Sequence, residues 1–274
     1  MSKKLKEIDM LKLLQNNLIR ITKSKAFWIC SAVYLVFGLM VSLAVRQEYV
    51  WEMHVNGKST FTNFGYSASP ATGLIVLTYL CLIIGQDVKN NAIRNKIIIG
   101  YSKSEIYLSN LFAFAICISA VNAVYVFHSL LAMPNKTFTL LKFIWTIFNN
   151  IVAISFYVSL YLLIIMNTQN AVATLIFGSL LTLCAAIISQ VIIHGVINGV
   201  NDFLLVLLTL YPTGFDTAIA NGLIINSKIF VESYYGTYLD VSKTLIYLCP
   251  LIAIGMTAVT ASIGTKIFKR SNIK

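Results

Sequence analysis

The sequence predicts an all-α polytopic membrane protein with six transmembrane helices. Composition is the first observation: 58% of the 274 residues are hydrophobic and only 11% are charged, and the mean hydropathy is +0.79. Length is the second, because a helix that crosses a bilayer needs about 20 mainly apolar residues. Six stretches qualify, at residues 26–45, 73–86, 106–133, 143–166, 171–193 and 244–267. The second is the shortest, and we expect it to begin upstream within 66–72, with Pro70 in its first turn.

The distribution of Lys and Arg predicts the orientation. If the N-terminus is cytoplasmic, fifteen of the 21 basic residues fall on the inner side, as the positive-inside rule requires. Both termini are then cytoplasmic. The net charge of +11 follows from the same pattern, since anionic headgroups attract juxtamembrane Lys and Arg by about 1 kcal/mol each. We therefore expect membrane lipids, and no nucleic acid, as partners, and a bacterial-type cell membrane as the location.

Residues 1–25 predict an amphipathic helix ahead of the first span. Apolar residues recur there at three- and four-residue steps, opposite Lys12 and Asn16. This spacing is typical of a helix that lies in the membrane interface. The alternative is a cytoplasmic helix packed on a partner. The apolar positions are Ile8, Leu11, Leu14, Leu18 and Ile21.

Residues 198–243 hold two shorter apolar runs, at 203–211 and 218–231. Pro212 and Gly214 interrupt the apolar sequence between them, and each run is too short for an ordinary membrane crossing. If either crossed alone, the last span would carry its basic C-terminal end outside, against the charge rule. We therefore predict re-entrant or outer-face short helices between spans five and six. Nothing else divides the chain, so residues 1–274 form a single transmembrane domain.

No motif predicts enzymatic activity, a cofactor or a metal. The tetrapeptide GKST at 57–60 imitates the end of a phosphate-binding loop, but that pattern needs a Gly where this chain has Glu52. The three His and five Cys residues are scattered, without metal-ligand spacing. No acid stands near the centre of a predicted span, which argues against an ion-coupled carrier.

Polar and aromatic residues within the spans are weaker candidates for a translocation path. Such residues also form hydrogen bonds between helices or pack between them, and that alternative stays open. The candidates are Tyr79, Asn122, Asn149, Asn150, Phe156, Tyr157 and Gln190.

The charged insert at 89–104 is the most informative segment. Asn90 or Asn91 is placed to cap a short helix at 92–99, and Gly100 follows where a left-handed residue ends a helix. Ser102 and Glu105 have the spacing of a capping box at the start of the next helix. The sequence therefore predicts a short helix, a sharp turn and a membrane helix.

This insert resembles that of the type-2 (exporter-type) permease family of ATP-binding cassette transporters. The resemblance lies in Ile93-Arg94-Asn95-Lys96, Gly100-Tyr101-Ser102-Lys103 and Ile106-Tyr107-Leu108-Ser109, with Lys103 where many members have Arg. The order of helices resembles the family over nearly the whole chain.

The resemblance implies that the insert is a coupling helix for a separate cytoplasmic ATPase. Arg94 and Lys96 would then offer charged contacts, and Ile93 and Ile97 an apolar edge. The implied complex contains two ATPase subunits, which hold ATP and magnesium, and a dimer of identical or related permeases. It would export an amphipathic substrate, peptide or drug-like. The implied coupling residues are Asn91, Ile93, Arg94, Asn95, Lys96, Ile97, Gly100, Tyr101 and Ser102.

Two other functions remain open from the sequence. One is a non-transporting membrane scaffold or sensor subunit, and the other is a small-molecule channel or secondary carrier.

Overall fold

The computed structural model describes residues 3–56, 69–132, 140–199, 202–220, 228–230, 238–240 and 243–271. Helices account for nearly all of them, as predicted. Their bounds are α1 Lys3–Lys23, α2 Lys25–Asn56, α3 Ser69–Lys89, α4 Ala92–Ile98, α5 Lys103–Ala132, α6 Leu140–Thr168, α7 Ala171–Gly199, α8 Asp202–Leu208, α9 Pro212–Ala220 and α10 Lys243–Arg270.

Five of these helices are long and apolar enough to cross a membrane, namely α3, α5, α6, α7 and α10. A sixth candidate is the pair Met10–Lys23 and Lys25–Met40, which bends by 65° at Ser24. This bend separates α1 from α2, the first predicted span. The second span begins at Ser69 with Pro70 in its first turn, as predicted.

Helix α1 packs on the protein itself. Leu13 and Ile21 are 2% and 0% exposed and belong to the main apolar core, whereas Leu11 is 64% exposed. The main core also takes side chains from α3, α5 and α6. The partner of the amphipathic helix is therefore the bundle, and α5 in particular.

The segment between spans five and six differs from its prediction in detail. Pro212 ends the first short apolar segment, but it also begins α9, because a proline fits the first turn of a helix. A Cβ at Gly214 would collide with the carbonyl oxygen of Leu208, so glycine allows α9 to fold back against α8. Of the predicted helix at 218–231, residues 218–220 are helical as the end of α9, but Lys228–Phe230 is a strand, β1, paired antiparallel with β2, Tyr238–Asp240. Residues 221–227 lie outside the described residues.

Helix α9 lies inside the bundle. Residues 212–219 are all buried, and the Tyr157 hydroxyl donates a hydrogen bond of 3.4 Å to Asp216 Oδ2. Tyr157 precedes the end of α6 at Thr168 by eleven residues, or about 16 Å of helix. Asp216 on α9 therefore lies beside the central part of α6.

Polar contacts place several helix ends on one face of the bundle. Lys103 Nζ donates to the backbone oxygen of Ser271 at 2.6 Å, which brings the start of α5 beside the end of α10. Arg20 pairs with Asp87, and Lys96 bonds Asn17 at 2.8 Å. We call this the α4 face. The chain from Lys103 to Ser271 therefore starts and ends on this face.

We expect the α4 face to be cytoplasmic, because the basic residues concentrate there. Single cysteines introduced at Ser2, Lys103 or Ser271 should be shielded from a membrane-impermeant thiol reagent in intact cells, whereas cysteines at Ser59 or Lys136 should react. Permeabilised cells provide the control, since all five positions should then react. Reaction of Ser271→Cys in intact cells would contradict this orientation of α10.

Candidate functional site

Helix α4 is fixed at its end by backbone geometry. Gly100 has a φ of 109°, in the region that favours glycine. The Gly100 N–H donates to the Ile97 oxygen at 3.0 Å, and the Tyr101 N–H donates to the Lys96 oxygen at 3.1 Å. These two bonds are those of a Schellman motif. The predicted left-handed glycine is therefore confirmed, and the helix ends one residue earlier than predicted.

A capping box begins α5 directly after the short turn that follows α4. The Ser102 N–H donates to Glu105 Oε2 at 2.8 Å, and the Glu105 N–H donates to Ser102 Oγ at 3.3 Å. Both predicted partners are confirmed. Asn91 occupies the N-cap position of α4 with a φ of 55°, but its side chain makes no capping hydrogen bond. The turn between the two helices is therefore only four residues long and hydrogen-bonded on both sides.

The apolar residues of α4 face opposite directions. Ile93 is 5% exposed and Ile97 packs on the main core, so the expected apolar edge for a partner faces the bundle instead. Ile98 and Ile99 are 73% and 75% exposed. Arg94 and Asn95 are also exposed. The surface available to a partner, here called the α4 tip, consists of Arg94, Asn95, Ile98 and Ile99.

Lys96 is half-buried and attached to α1. Its Nζ donates to Asn17 Oδ1 at 2.8 Å, and Asn17 Nδ2 donates to Ser109 Oγ on α5 at 2.9 Å. Burial, followed by the nearby charge of Arg20, lowers the pKa of Lys96 to about 8. Lys96 therefore connects α4 to α1, which differs from the expected partner contact.

A second set of polar contacts, here called the Arg20 clamp, joins α1 to α3 and α5 through Arg20, Asp87 and Asn110. Arg20 pairs with Asp87, whose side chain is 9% exposed, while that of Arg20 is 27% exposed. Arg20 Nη2 also donates to Asn110 Oδ1 at 3.1 Å. The polar contacts of α1 were not predicted from the sequence. A signal for those of Asn17 is that Leu13, Asn17 and Ile21 follow a four-residue step. A polar residue within such a buried stripe is a signal for a hydrogen-bond partner.

Three of the seven predicted path residues, Tyr79, Asn122 and Asn150, form hydrogen bonds that join helices α2, α3, α5 and α6. The Tyr34 hydroxyl donates to Asn122 Oδ1, and Asn122 Nδ2 donates to Asn150 Oδ1 at 3.0 Å. This chain of bonds connects α2, α5 and α6. Tyr79 bonds Ser31 at 2.6 Å between α3 and α2. These contacts favour the structural alternative that the sequence left open.

The remaining path residues divide into three cases. Asn149 Nδ2 bonds its own helix at the Trp145 oxygen, at 2.8 Å. Gln190 is exposed on α7. Phe156 lines a cavity, and Tyr157 lies next to that cavity. The structure therefore does not bring the seven candidates together in one path.

The cavity has a volume of about 410 Å³ and lies between α6, α7, α9 and α10. We call it the α7–α10 cavity. Its walls are mainly apolar, and they include the hydroxyl groups of Tyr161, Thr182, Tyr211, Thr213 and Thr260. Its volume is within the range of about 300–1,000 Å³ for small-molecule pockets. None of these five residues is among the candidates predicted from the sequence, because they come from elements distant in sequence.

The sequence also misplaced one carboxylate. Asp216, assigned to an outer segment, is 1% exposed within the bundle. It accepts the hydrogen bond from Tyr157 and interacts electrostatically with Tyr34, Tyr125 and Tyr161. A buried carboxylate within the bundle therefore leaves an ion-coupled carrier open.

Gly100 offers a direct test of the turn. Gly100→Ala should lower the free energy of unfolding by about 1–2 kcal/mol, because an L side chain is strained at positive φ. Gly255→Ala is the matched control: a Cβ meets open space at both glycines, but Gly255 lies within α10. It should stabilise the protein by about 0.5–1 kcal/mol. Unfolding in detergent micelles measures both effects, and equal effects would contradict the strained turn.

No model of a protein family matches this chain, and no curated protein gives a significant match.

Proposed function

We propose that this chain is the permease subunit of an exporter of the ATP-binding cassette type in a bacterial cell membrane. A separate cytoplasmic ATPase drives it. Two permeases and two ATPase subunits form the complex, and an amphipathic substrate leaves through the membrane part. The observation that supports this proposal best is the α4 tip, where two exposed isoleucines lie on a short helix with a fixed end.

The contacts of α4 suit the transmission of movement. The Schellman motif and the capping box leave a hydrogen-bonded turn between α4 and α5, and Ile93 anchors α4 in the core. Lys96 and Asn17 connect the same helix to α1 and α5. A force on the α4 tip would therefore move α1, α3 and α5 together rather than deform a loop.

The exposed apolar residues of the tip favour a protein partner. Ile98 and Ile99 follow Arg94 and Asn95 on a surface that lies outside the candidate spans. Adjacent isoleucines exposed by about three-quarters of their area gain free energy when a partner covers them. An ATPase would supply that cover, and the guanidinium of Arg94 would contact an acidic or hydroxyl group beside it.

Asp216 favours a second candidate, an ion-coupled carrier. Ionisable side chains within a membrane domain commonly mark ion pathways, and Asp216 is buried near the middle depth of the bundle. In that case ion movement would drive transport, and no ATPase would be needed.

The energy source distinguishes the two functions. The tagged chain, purified from membranes that contain its natural ATPase, should carry that ATPase, and the complex should hydrolyse ATP. The chain alone should not, and Lys58→Ala should leave hydrolysis by the complex unchanged. Substrate movement in ATPase-free vesicles that follows an imposed proton gradient would contradict the exporter and favour the carrier.

A further inference from the structure

The α7–α10 cavity opens on the outer face of the bundle. Leu181 and Ile188, two of its lining residues, are 44% and 53% exposed. Helices α7 and α10 are the least covered spans that the structure describes: 17% of each apolar window is buried, compared with 61% for α5 and α6. In the single chain the cavity is therefore open on an apolar face of the kind that a surrounding bilayer contacts.

The walls of the cavity suit an amphiphilic molecule with aromatic or alkyl parts. Phe156, Leu160 and Met256 supply apolar surface. Three hydroxyl groups already have partners: Tyr161 bonds Thr182, Thr260 bonds Ser159 at 2.7 Å, and Tyr211 contacts Ser189 at 3.2 Å. These hydroxyl groups therefore join neighbouring segments of the wall, and the apolar side chains supply most of its surface.

A carboxylate lies directly behind this wall. Thr213 lines the cavity, and Asp216 follows three residues later on α9, so the two side chains occupy the same face of the helix. Tyr157 provides the second connection, because its hydroxyl bonds Asp216 and its ring stacks on Tyr161 at 5.9 Å and 18°. Tyr161 both lines the cavity and interacts electrostatically with Asp216.

Asp216 responds differently to occupants of opposite charge. In a medium of low dielectric constant a cation in the cavity favours the ionised carboxylate and is attracted by it, whereas an anion is repelled by the ionised form and gains nothing from the neutral one. The rings of Phe156 and Tyr161 add the attraction of aromatic faces for cations. A neutral molecule would gain only the apolar contacts.

We infer that the α7–α10 cavity binds lipophilic organic cations that enter from the bilayer, with Asp216 setting the preference for positive charge. This inference names the class of substrate and, as regards export, rests on the proposed function. Binding itself requires no ATPase. The volume of about 410 Å³ favours a drug-like cation over a peptide of more than a few residues.

Tetraphenylphosphonium and tetraphenylborate are suitable probes, because they have nearly the same shape and opposite charge. Equilibrium dialysis against the purified full-length chain in detergent, with protein-free micelles subtracted, should show saturable binding of the cation. The cation should bind about tenfold more tightly than the anion. Asp216→Asn should remove most of this preference while leaving the apolar contribution to both.

Filling the cavity provides an independent variant. Ala185→Phe places a ring in the α7–α10 cavity and should abolish saturable binding of both probes. Ile187→Phe is the matched control, since Ile187 lies two residues away on the same helix, is 66% exposed and does not line the cavity. It should bind as the wild type does.

Three results would overturn the inference: equal affinities of the wild type for both probes, an unchanged ratio in Asp216→Asn, or normal binding by Ala185→Phe. If Asp216→Asn does not fold, the wild-type ratio and the Ala185→Phe variant decide alone. Binding of the cation by a chain that recruits no ATPase would contradict the proposed exporter and leave the site intact. A chain that recruits the ATPase but does not bind the cation would overturn the inference and leave the proposed exporter intact.

Discussion

Replacing Asp87 with Asn is expected to lower the free energy of unfolding by about 3–5 kcal/mol. The substitution keeps the shape of the side chain but removes the negative charge opposite Arg20, whose side chain is 27% exposed. The guanidinium then remains in a poorly solvated position with Asn110 as its neutral partner. Thermal and denaturant unfolding in detergent micelles measure the loss.

A double substitution distinguishes the stability that the ion pair contributes from the cost of leaving Arg20 without its charged partner. Arg20→Met combined with Asp87→Leu removes both charges and should recover most of the stability, because well-packed apolar residues often replace a buried ion pair at little cost. Lys89→Met, an exposed charge two residues along α3, should change the free energy of unfolding by less than about 0.5 kcal/mol. A loss in Asp87→Asn no larger than in Lys89→Met would show that the Arg20 clamp contributes nothing measurable.

Replacing Ile98 and Ile99 together with Asp is expected to reduce recovery of the ATPase with the tagged chain by more than about tenfold. Two charges at the α4 tip would have to be desolvated in the complex, which costs several kcal/mol. Both side chains are about three-quarters exposed in the isolated chain, so folding should be unaffected. Co-purification and ATP-driven transport in vesicles measure the effect.

The neighbouring residues of α4 supply the controls. Ile98→Val with Ile99→Val keeps the apolar surface and should retain the ATPase. Ile93→Asp buries a charge in the core, so it should reduce the amount of folded protein. It therefore does not test docking. A folded Asp double variant that binds the ATPase and transports normally would exclude the α4 tip as the docking surface and favour the scaffold or carrier functions.

The turn after α4 was predictable from the local sequence. Ser102 and Glu105 form the expected capping box, and Gly100 has the expected positive φ. Both depend on bonds between residues at most a few positions apart, so the local sequence contains all the partners. Span length is similarly local, because about 20 apolar residues are sufficient for a crossing.

The directions of side chains on α4 were not predictable in this way. Ile93, Ile97 and Ile98 of α4 and the following Ile99 are chemically alike, and a helix of seven residues has no periodicity long enough to identify its buried face. Packing against the core decides that Ile93 and Ile97 turn inward. The side chain of Lys96 turns to Asn17, seventy-nine positions away in the sequence.

The sequence by itself determined a helical membrane protein, its principal spans and the hydrogen-bonded turn after α4, since hydropathy and helix capping act over one helix or one turn. Only the tertiary structure decided that α1 packs on the bundle, that Arg20 pairs with Asp87, and that α9 places Asp216 beside Tyr157. The physical reason is the same in each case. A short or mixed segment cannot satisfy its polar groups and bury its apolar ones alone, so its position depends on partners that other helices supply.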